Sequence, residues 1–320
     1  MLTARDLHGV MAMMPAFATP NAADIRATDT IAVDNLKAAV DRIIRDGINV
    51  IATTGSFGEF HTLLWEEFVT LTHATVEAVN KRVPLFIGCT ALNSREAVRK
   101  MAVARDAGAD GVLVGVPFYF PSTVDNAVRF YEEIAELFPT LSIMIYHNPD
   151  LHRVLLPVEA FRQLSALRNV IGMKDSHRTT RSFLELQRII QGKISVFVIA
   201  GQYYPYAELG AAGCWSYDCW MGPWPVLRLR DAIAQGDVAT AKQIICEITT
   251  VHEGPPNLQW RETAAKLAIR YAGYCDPGPL RPPFVVIPPE VEERARARAR
   301  YWNELCAKYR PQAAAAPATA

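Results

Sequence analysis

Eight short apolar segments rich in β-forming residues alternate with segments of helical period over most of the chain. The predicted strands cover residues 9–17, 49–54, 85–89, 111–116, 142–147, 170–174, 195–200 and 214–217. The helical patterns fall near residues 30–46, 64–80, 94–107, 123–138, 157–166, 179–191, 203–210 and 225–235. Because eight successive strand–helix units make up a closed (β/α)8 barrel, the sequence predicts an α/β fold of the TIM-barrel type.

An open, doubly wound α/β sheet is the alternative for such an alternation. The chain carries neither a G-x-G-x-x-G turn after its first predicted strand nor a P-loop, which mark the common nucleotide-binding sheets.

From residue 237 onward the pattern is mostly helical, near 237–252, 258–273 and 290–309. We therefore predict three parts, a barrel at 1–236, a C-terminal helical extension at 237–310 and a disordered Ala- and Pro-rich tail at 311–320.

Basic and acidic residues are balanced at 33 each, so the total charge predicts no attraction to nucleic acid or to an anionic membrane. A run of arginines that alternate with alanine, at 294, 296, 298 and 300, is typical of a solvated helix face. No uncharged apolar stretch reaches the ~18 residues of a membrane span, and the N-terminus lacks the pattern of a signal peptide. The six cysteines form no C-x-x-C pair, which is typical of free thiols in a reducing compartment. We expect a cytoplasmic protein.

Lys174 differs from the other lysines in its position, because it alone ends an apolar predicted strand. In a barrel the C-terminal ends of the strands meet at the catalytic face. An amine buried there loses hydration of its charged form, which leaves free amine to attack a carbonyl group. The structural alternative is an ion pair between Lys174 and its neighbour Asp175.

Two further strand ends add chemistry to this lysine. Tyr146 ends the preceding predicted strand, so its phenol should lie near the amine and could move protons, although a tyrosine that only caps the core is common. The loop after the second strand reads Gly55-Ser56-Phe57-Gly58-Glu59. Its backbone N–H groups and the Ser56 hydroxyl could hold a carboxylate, but a glycine-rich loop is weak evidence by itself.

Together these motifs resemble the pyruvate-dependent class I aldolase superfamily that contains dihydrodipicolinate synthase and N-acetylneuraminate lyase. That family has a Gly-Thr/Ser-Thr-Gly-Glu loop, a Tyr-Asn-x-Pro strand end and a Gly-x-Lys strand end 28 residues after the Tyr. Here 174 − 146 = 28, and the run is Gly172-Met173-Lys174. The family's Pro-[Phe/Tyr]-Tyr segment after the fourth strand is matched at 117–119. The resemblance covers roughly residues 8–250 and implies a Schiff base between Lys174 and a keto acid.

Departures from the family pattern favour one branch, the hydratase-aldolases that act on benzylidenepyruvates in aromatic hydrocarbon catabolism. These have Gly-Thr-Phe-Gly-Glu and Tyr-x-Asn-Pro, matched here by the loop with Phe57 and by Asn148 two positions after the tyrosine. Phe57 replaces a hydroxyl residue that the synthase uses in a proton relay to its tyrosine, so we expect that relay to be broken. Trp215 makes the eighth strand aromatic, although a tryptophan there could also only fill the core. Both rings would make the site apolar and suited to an aryl group.

The resemblance implies an aryl–CH=CH–CO–COO⁻ substrate that is hydrated and cleaved to an aromatic aldehyde and pyruvate. Lys174 would form the imine, Tyr146 would move protons and Asn148 would orient the water. Gly55 and Ser56 would hold the carboxylate, and the rings of Phe57 and Trp215 would contact the aryl group. No metal and no organic cofactor are expected, because the covalent lysine imine withdraws the electrons.

Four other residues are candidates for contact with substrate. His147 could pair with a ring substituent or simply pack at the strand end. Trp260, with Asn257, could bring the C-terminal helices to the site. Family members are commonly tetramers in which the segment of Tyr119 reaches a neighbouring subunit, so we expect a homo-oligomer.

Two alternative functions stay open at this point. One is another Schiff-base lyase or synthase of the superfamily, acting on a sugar acid or an amino-acid precursor, which Phe57 and the aromatic eighth strand disfavour. The other is a non-catalytic barrel, which the Lys174–Tyr146 pair disfavours.

Overall fold

A closed ring of eight parallel strands forms the centre of the protein. The computed structural model describes residues 1–175, 177–250 and 258–311. The strands are β1 (Gly9–Met13), β2 (Val50–Ala52), β3 (Leu85–Gly88), β4 (Gly111–Val114), β5 (Ser142–Tyr146), β6 (Val170–Lys174), β7 (Ser195–Ile199) and β8 (Gly213–Ser216). Each strand pairs with the next in the chain, and β8 pairs with β1, which closes the ring. This arrangement confirms the predicted α/β barrel.

The helices also follow the predicted order. They are α1 (Val33–Arg45), α2 (Trp65–Val79), α3 (Ser94–Ala107), α4 (Val124–Leu137), α5 (Pro149–His152), α6 (Phe161–Leu164), α7 (Thr180–Ile190), α8 (Tyr203–Ala207), α9 (Trp224–Ala234), α10 (Val238–Thr250), α11 (Leu258–Ala272) and α12 (Pro289–Tyr309). One segment differs from its prediction, because 157–166 forms a 3-10 turn and a single α-turn. The short helix α5, which follows β5, has no counterpart among the helices predicted from the sequence.

Local sequence accounts for the limits of these elements. The first strand ends at Met13 rather than at residue 17, because Pro15 has no N–H for the ladder. In α1 the buried residues Leu36, Ala39, Val40 and Ile43 recur at the spacing of one helical face. Asn93 caps α3 by accepting a hydrogen bond from the backbone N–H of Glu96.

The C-terminal helices pack closely on the barrel. Trp302 on α12 is buried and its indole N–H donates to the carbonyl of Gly222 after β8 (2.9 Å). In the arginine run of α12, Arg298 is half-buried and pairs with Asp218, so one residue of that run departs from a solvated face. The division at residue 236 stays a prediction, and nearly all of the tail predicted at 311–320 lies outside the described residues.

The cysteine side chains do not form disulfides. All six cysteines are free thiols, and four of them, Cys89, Cys214, Cys219 and Cys306, are buried. Within the described ranges, no helix combines the length and the apolar character that crossing a bilayer demands.

Closure of the ring depends on Gly213, the first residue of β8. A Cβ at this position would overlap the carbonyl oxygen of Gly9 on β1 and approach the Phe197 ring to 2.7 Å. We predict that Gly213→Ala destabilises the fold by about 3 kcal/mol or more, because backbone atoms cannot yield as side chains do. The midpoint of urea unfolding measures this change.

Gly172→Ala on β6 is the matched control. Its Cβ would meet only the ends of the Met144 and Leu7 side chains, at 3.1 Å and 3.2 Å, which can shift. Equal destabilisation by the two substitutions would contradict the assignment of Gly213 to ring closure.

Candidate active site

The pairing of β5 with β6 places Tyr146 directly beside Lys174. The two residues are Cα partners at the C-terminal ends of their strands. The Nζ atom of Lys174 lies 4.6 Å from the centroid of the Tyr146 ring and 3.6 Å from that of Trp215. Trp215 comes from β8, and alternate strands of a barrel direct side chains into the same layer. Three strand ends therefore enclose one amine, and the Lys174 side chain is buried.

Lys174 does not form the ion pair with Asp175 that was its structural alternative. Successive side chains of a strand point to opposite faces, so Asp175 points away from the barrel axis. Its carboxylate lies 2.7 Å from His147 Nδ1 and 3.5 Å from Arg178 Nε. Burial acts to raise the pKa of Asp175, but the hydrogen bond from His147 and the nearby charge of Arg178 hold that pKa below its usual value. The amine of Lys174 and the carboxylate of Asp175 thus belong to different environments.

His147 shares the outward environment of Asp175, which corrects the expectation that it binds substrate. Its Nδ1 atom contacts Asp175, and its Nε2 atom accepts a hydrogen bond from the backbone N–H of Leu156 (3.2 Å). Burial lowers the pKa of His147, against the opposing effect of Asp175. Both ring nitrogens are occupied within the protein, which favours the strand-end packing alternative for His147.

A hydroxyl contact to Tyr146 is retained, which corrects the expectation of a broken relay. Ser56 Oγ lies 2.8 Å from the Tyr146 phenol oxygen. A Cβ on Gly55 would lie 3.6 Å from the Tyr146 ring, so this loop packs directly against the phenol. The hydroxyl group that contacts the phenol belongs to Ser56, whereas the Phe57 ring stacks on Tyr217. Residue spacing alone could not distinguish which of two adjacent loop residues faces the tyrosine.

Phe57 and Trp215 contribute to one aromatic wall. Phe57 is buried and stacks on Tyr217, with ring centroids 4.7 Å apart. The indole N–H of Trp215 donates to the backbone carbonyl of Asp175 (3.2 Å), which fixes the ring over the amine. Trp215 thus contacts the candidate amine, whereas Trp220 is fully buried and packs edge-on to Phe17.

A cavity of about 370 Å³ adjoins this cluster. Its walls are largely apolar, formed by Phe57, Phe60, Phe118, Leu151, Leu280 and Phe284. Two other lining residues, Ser56 and His152, contact Tyr146. The cavity therefore lies next to the phenol that neighbours the Lys174 amine. Its size and lining are typical of a site for a small organic ligand.

His152 is a site residue that the sequence analysis missed. Its ring packs edge-on against the Tyr146 ring, with centroids 4.7 Å apart, and neither nitrogen makes a hydrogen bond of normal geometry. Burial, reinforced by the charge of Lys174, lowers the pKa of His152 to about 4, so the imidazole is neutral at physiological pH. A Cβ on Gly115 would overlap this ring, so the glycine after β4 makes room for it. His152 belongs to no recognisable sequence motif, so the sequence alone does not indicate it as a site residue.

The C-terminal helix α11 forms one side of the cavity, as the sequence analysis expected, but through other residues. Gln259, Glu262, Thr263 and Lys266 line it and occupy one helical face. Trp260 is half-buried and is not among the lining residues, because it lies about 100° around the helix from Gln259. Asn257 lies outside the described residues.

Glu59, the last residue of the Gly55–Glu59 loop, is bound by two buried cations. Lys266 Nζ lies 2.5 Å and Arg281 Nη1 lies 3.1 Å from the same carboxylate oxygen. Burial lowers the pKa of both Lys266 and Arg281, while the Glu59 charge acts to raise them. Arg281 also donates to the backbone carbonyl of Ala16 after β1 (3.0 Å). This ionic cluster ties the loop that carries Ser56 to the C-terminal segment.

Asn148 and Tyr119 are the two remaining predicted site residues. Asn148 is half-buried and its side-chain oxygen accepts the backbone N–H of Leu151 (3.4 Å), which caps α5. The Tyr119 side chain is 68% exposed, and Arg153 donates to its backbone carbonyl (2.9 Å). In the described part of the chain, no group of three or more His, Cys, Asp or Glu side chains is arranged to hold a metal ion.

Substitutions in the ionic cluster of Glu59, Lys266 and Arg281 should lower the free energy of unfolding to different extents. Glu59→Gln leaves two buried cations without their carboxylate, and we expect a loss of about 3–5 kcal/mol in the free energy of unfolding. Lys266→Met should cost clearly less, because Glu59 keeps Arg281 as a partner. Urea unfolding at constant pH measures both changes.

The exposed pair Lys37–Glu77 provides the control. Glu77→Gln should change stability by less than about 1 kcal/mol, because solvent screens exposed ion pairs. A Glu59→Gln protein as stable as the Glu77→Gln protein would show that the buried cluster contributes little.

Comparisons with known proteins identify the family of the chain and agree with its barrel fold. The sequence model of the dihydrodipicolinate synthetase family matches residues 11–300. The chain is 31% identical over 322 residues to the trans-O-hydroxybenzylidenepyruvate hydratase-aldolase of Pseudomonas putida, covering 96% of each chain. It is 25% identical over 323 residues to the trans-2'-carboxybenzalpyruvate hydratase-aldolase of Nocardioides sp. (strain KP7), again covering 96% of each. A solved structure described as PhdJ bound to substrate intermediate superposes with a TM-score of 0.91 at 28% identity, covering 96% of this chain and 99% of that chain.

Proposed function

Because the chain belongs to the dihydrodipicolinate synthetase family, we propose that it is a hydratase-aldolase that cleaves an aryl-substituted benzylidenepyruvate through an imine on Lys174. Membership of the family confirms what the motifs predicted, and with it the enzyme class, a carbon–carbon lyase of the class I aldolase type. The proposal concerns the finer points, namely the substrate, the covalent lysine and the roles of its neighbours. The relatives named for benzylidenepyruvates and carboxybenzalpyruvates support the substrate class.

The observation that carries the proposal is the position of the Lys174 amine. Its Nζ atom lies between two aromatic rings, in a buried site, while the adjacent carboxylate of Asp175 is engaged by His147 and Arg178. A lysine amine at this position can act as the nucleophile in imine formation. The phenol of Tyr146 on the neighbouring strand is the nearest proton carrier, and Ser56 supports it.

The first half of the proposed reaction builds the electron sink. The Lys174 nitrogen attacks the ketone carbon, and the carbinolamine loses water to give an imine. Tyr146 and Ser56 exchange the protons that this step requires, since their hydroxyl groups are hydrogen-bonded to each other. The protonated imine withdraws electrons through the conjugated double bond, so a water molecule adds at the benzylic carbon and a proton at the next carbon.

The second half breaks the carbon–carbon bond. Tyr146 removes the proton of the new benzylic hydroxyl, the bond between the benzylic carbon and its neighbour breaks, and its electron pair moves into the iminium to form an enamine. The aromatic aldehyde leaves, the enamine is protonated on carbon, and water hydrolyses the imine to pyruvate. One water is consumed overall, and the lysine is regenerated. The imine supplies the electron sink, so the proposal includes neither a metal nor an organic cofactor.

The cavity beside Tyr146 suits the aryl end of such a substrate. Phe57, Phe60 and Phe118 provide ring faces and edges for a flat group, and few polyol hydroxyls could be satisfied among them. Asn148 remains our candidate for orienting the water; because its oxygen caps α5, its amide NH₂ group would be the donor. Assembly into a homo-oligomer through the exposed segment of Tyr119, and a cytoplasmic location, also remain predictions.

The covalent step is tested by trapping. We expect pyruvate and borohydride together to add one carboxyethyl group to the protein, and peptide mapping to place it on Lys174. Lys174→Ala should abolish both the adduct and the cleavage of o-hydroxybenzylidenepyruvate, followed as loss of the conjugated chromophore and formation of aldehyde. Lys266→Met serves as control, because it removes another buried lysine near the cavity and should still give the adduct.

Three outcomes would overturn the proposal at different points. An adduct on a lysine other than Lys174 would refute the assignment of the nucleophile. A trapped Lys174 with no aldehyde product, together with turnover of aspartate semialdehyde and pyruvate, would instead identify a synthase. A protein that gives no adduct and no turnover would favour a non-catalytic barrel.

The hydroxyl pair of Ser56 and Tyr146 yields a second prediction. Tyr146→Phe removes the proton carrier and should lower kcat by about 10²–10⁴-fold. Ser56→Ala removes only one hydrogen bond to the phenol, worth about 1 kcal/mol, and should lower kcat by roughly tenfold or less. Steady-state kinetics with o-hydroxybenzylidenepyruvate measure both effects.

Tyr309→Phe provides the control, because its phenol binds Glu247 on α10, away from the lining of the cavity. It should leave kcat within about twofold of the parent, the range of a negligible change in barrier. If Ser56→Ala proved as damaging as Tyr146→Phe, Ser56 rather than Tyr146 would carry the protons.

A further inference from the structure

Glu262 on α11 is a carboxyl group in the cavity wall that the reaction above does not use. Its side chain lines the cavity, yet its Oε2 atom is covered by protein atoms and has no hydrogen-bond partner. An unpaired carboxylate oxygen in such surroundings is costly unless a ligand supplies a donor. The terminal torsion of a glutamate is broad, so a small rotation turns either oxygen toward the cavity.

The cation that lines the cavity beside Glu262 is already engaged by other groups. Lys266 is paired with Glu59 and donates to the carbonyl of Pro279 (2.8 Å), and Arg298 is paired with Asp218. Burial lowers the pKa of His61 in the same wall, which disfavours its charged form. Lys174 and Arg261 also act on Glu262 by their charge, but neither lines the cavity. A second carboxylate in this cavity would therefore face the Glu262 carboxyl group, whereas a hydroxyl group would give Glu262 the donor that it lacks.

We propose that Glu262 forms the subsite for the ring substituent, accepting a hydrogen bond from an ortho-hydroxyl group and, when ionised, disfavouring an ortho-carboxylate. The proposal rests on the hydratase-aldolase function and specifies its substrate as a hydroxyaryl rather than a carboxyaryl benzylidenepyruvate. Gln259 and Thr263, which flank Glu262 in the cavity wall, are uncharged and fit the same neutral substituent.

The choice between substituents should depend on pH. Burial raises the pKa of Glu262 to about 7, against the opposing charges of Lys174, Arg298 and Arg261, while the Glu59 charge raises it further. Below this pKa the neutral carboxyl group can donate a hydrogen bond to an ortho-carboxylate. Above it, Glu262 is an anion that repels a carboxylate and accepts from a phenol. The preference for the hydroxyl substrate should therefore rise with pH.

The test compares two substrates at each pH. We expect the ratio of kcat/KM for o-hydroxybenzylidenepyruvate to kcat/KM for o-carboxybenzylidenepyruvate to increase roughly tenfold between pH 6 and pH 8, the scale of one close charge contact. Titrations that affect both substrates equally, such as that of the catalytic amine, cancel in the ratio. In Glu262→Gln the ratio should be smaller at pH 8 and nearly independent of pH.

Glu293→Gln is the matched control, because it makes the same substitution at an exposed position on α12. It should retain the pH-dependent ratio of the parent. A parent ratio that is independent of pH, or that is unchanged by Glu262→Gln, would refute the subsite while leaving the hydratase-aldolase function intact. The absence of aldehyde from both substrates would instead refute that function, and borohydride trapping of the Glu262→Gln protein verifies that the variant is folded and competent.

Discussion

The register between β5 and β6 is the constraint on which the site depends. After a register irregularity between Ile143 and Met144, it makes Tyr146 and Lys174 direct neighbours at the same end of the ring, with the amine 4.6 Å from the centroid of the phenol ring. Closure of the ring adds Trp215 from β8 above the same amine. A shift of one residue in β6 would turn Lys174 toward the outer helices, and the same shift in β5 would turn Tyr146 outward. The strand alternation thus separates the Lys174 amine from the Asp175 carboxylate one residue away.

Two ionic clusters connect segments that follow barrel strands to the C-terminal part of the chain. Glu59, Lys266 and Arg281 join the loop after β2 to α11 and to the segment that follows it. Asp218 and Arg298 do the same between β8 and α12. Glu59 and Lys266 of the first cluster line the cavity, so the C-terminal helices contribute to the shape of the site. This explains how a residue as distant in sequence as Glu262 comes to lie in the wall of the cavity.

The site is divided between a reactive end and a recognition end. Lys174, Tyr146 and Ser56 form the first, with groups suited to imine chemistry. Phenylalanine side chains and one face of α11 form the second. His152 lies at the boundary, where its neutral ring packs on Tyr146 in the space left by Gly115. We infer that changes at the recognition end can alter the aryl group that is accepted without altering the chemistry at the lysine.

The sequence by itself determined the barrel, the order of its elements and the lysine–tyrosine pair. Those features follow from local periodicity and from the rule that parallel strands present their C-terminal ends together, which need no knowledge of distant contacts. Only the tertiary structure decided which neighbour of each key residue faces inward. It showed that Ser56 rather than position 57 contacts the phenol, and that His147 is turned away from the site. It also brought Glu262 to the cavity, because the packing of α11 against the loop after β2 depends on a buried ion pair between residues 207 positions apart, which no local pattern encodes.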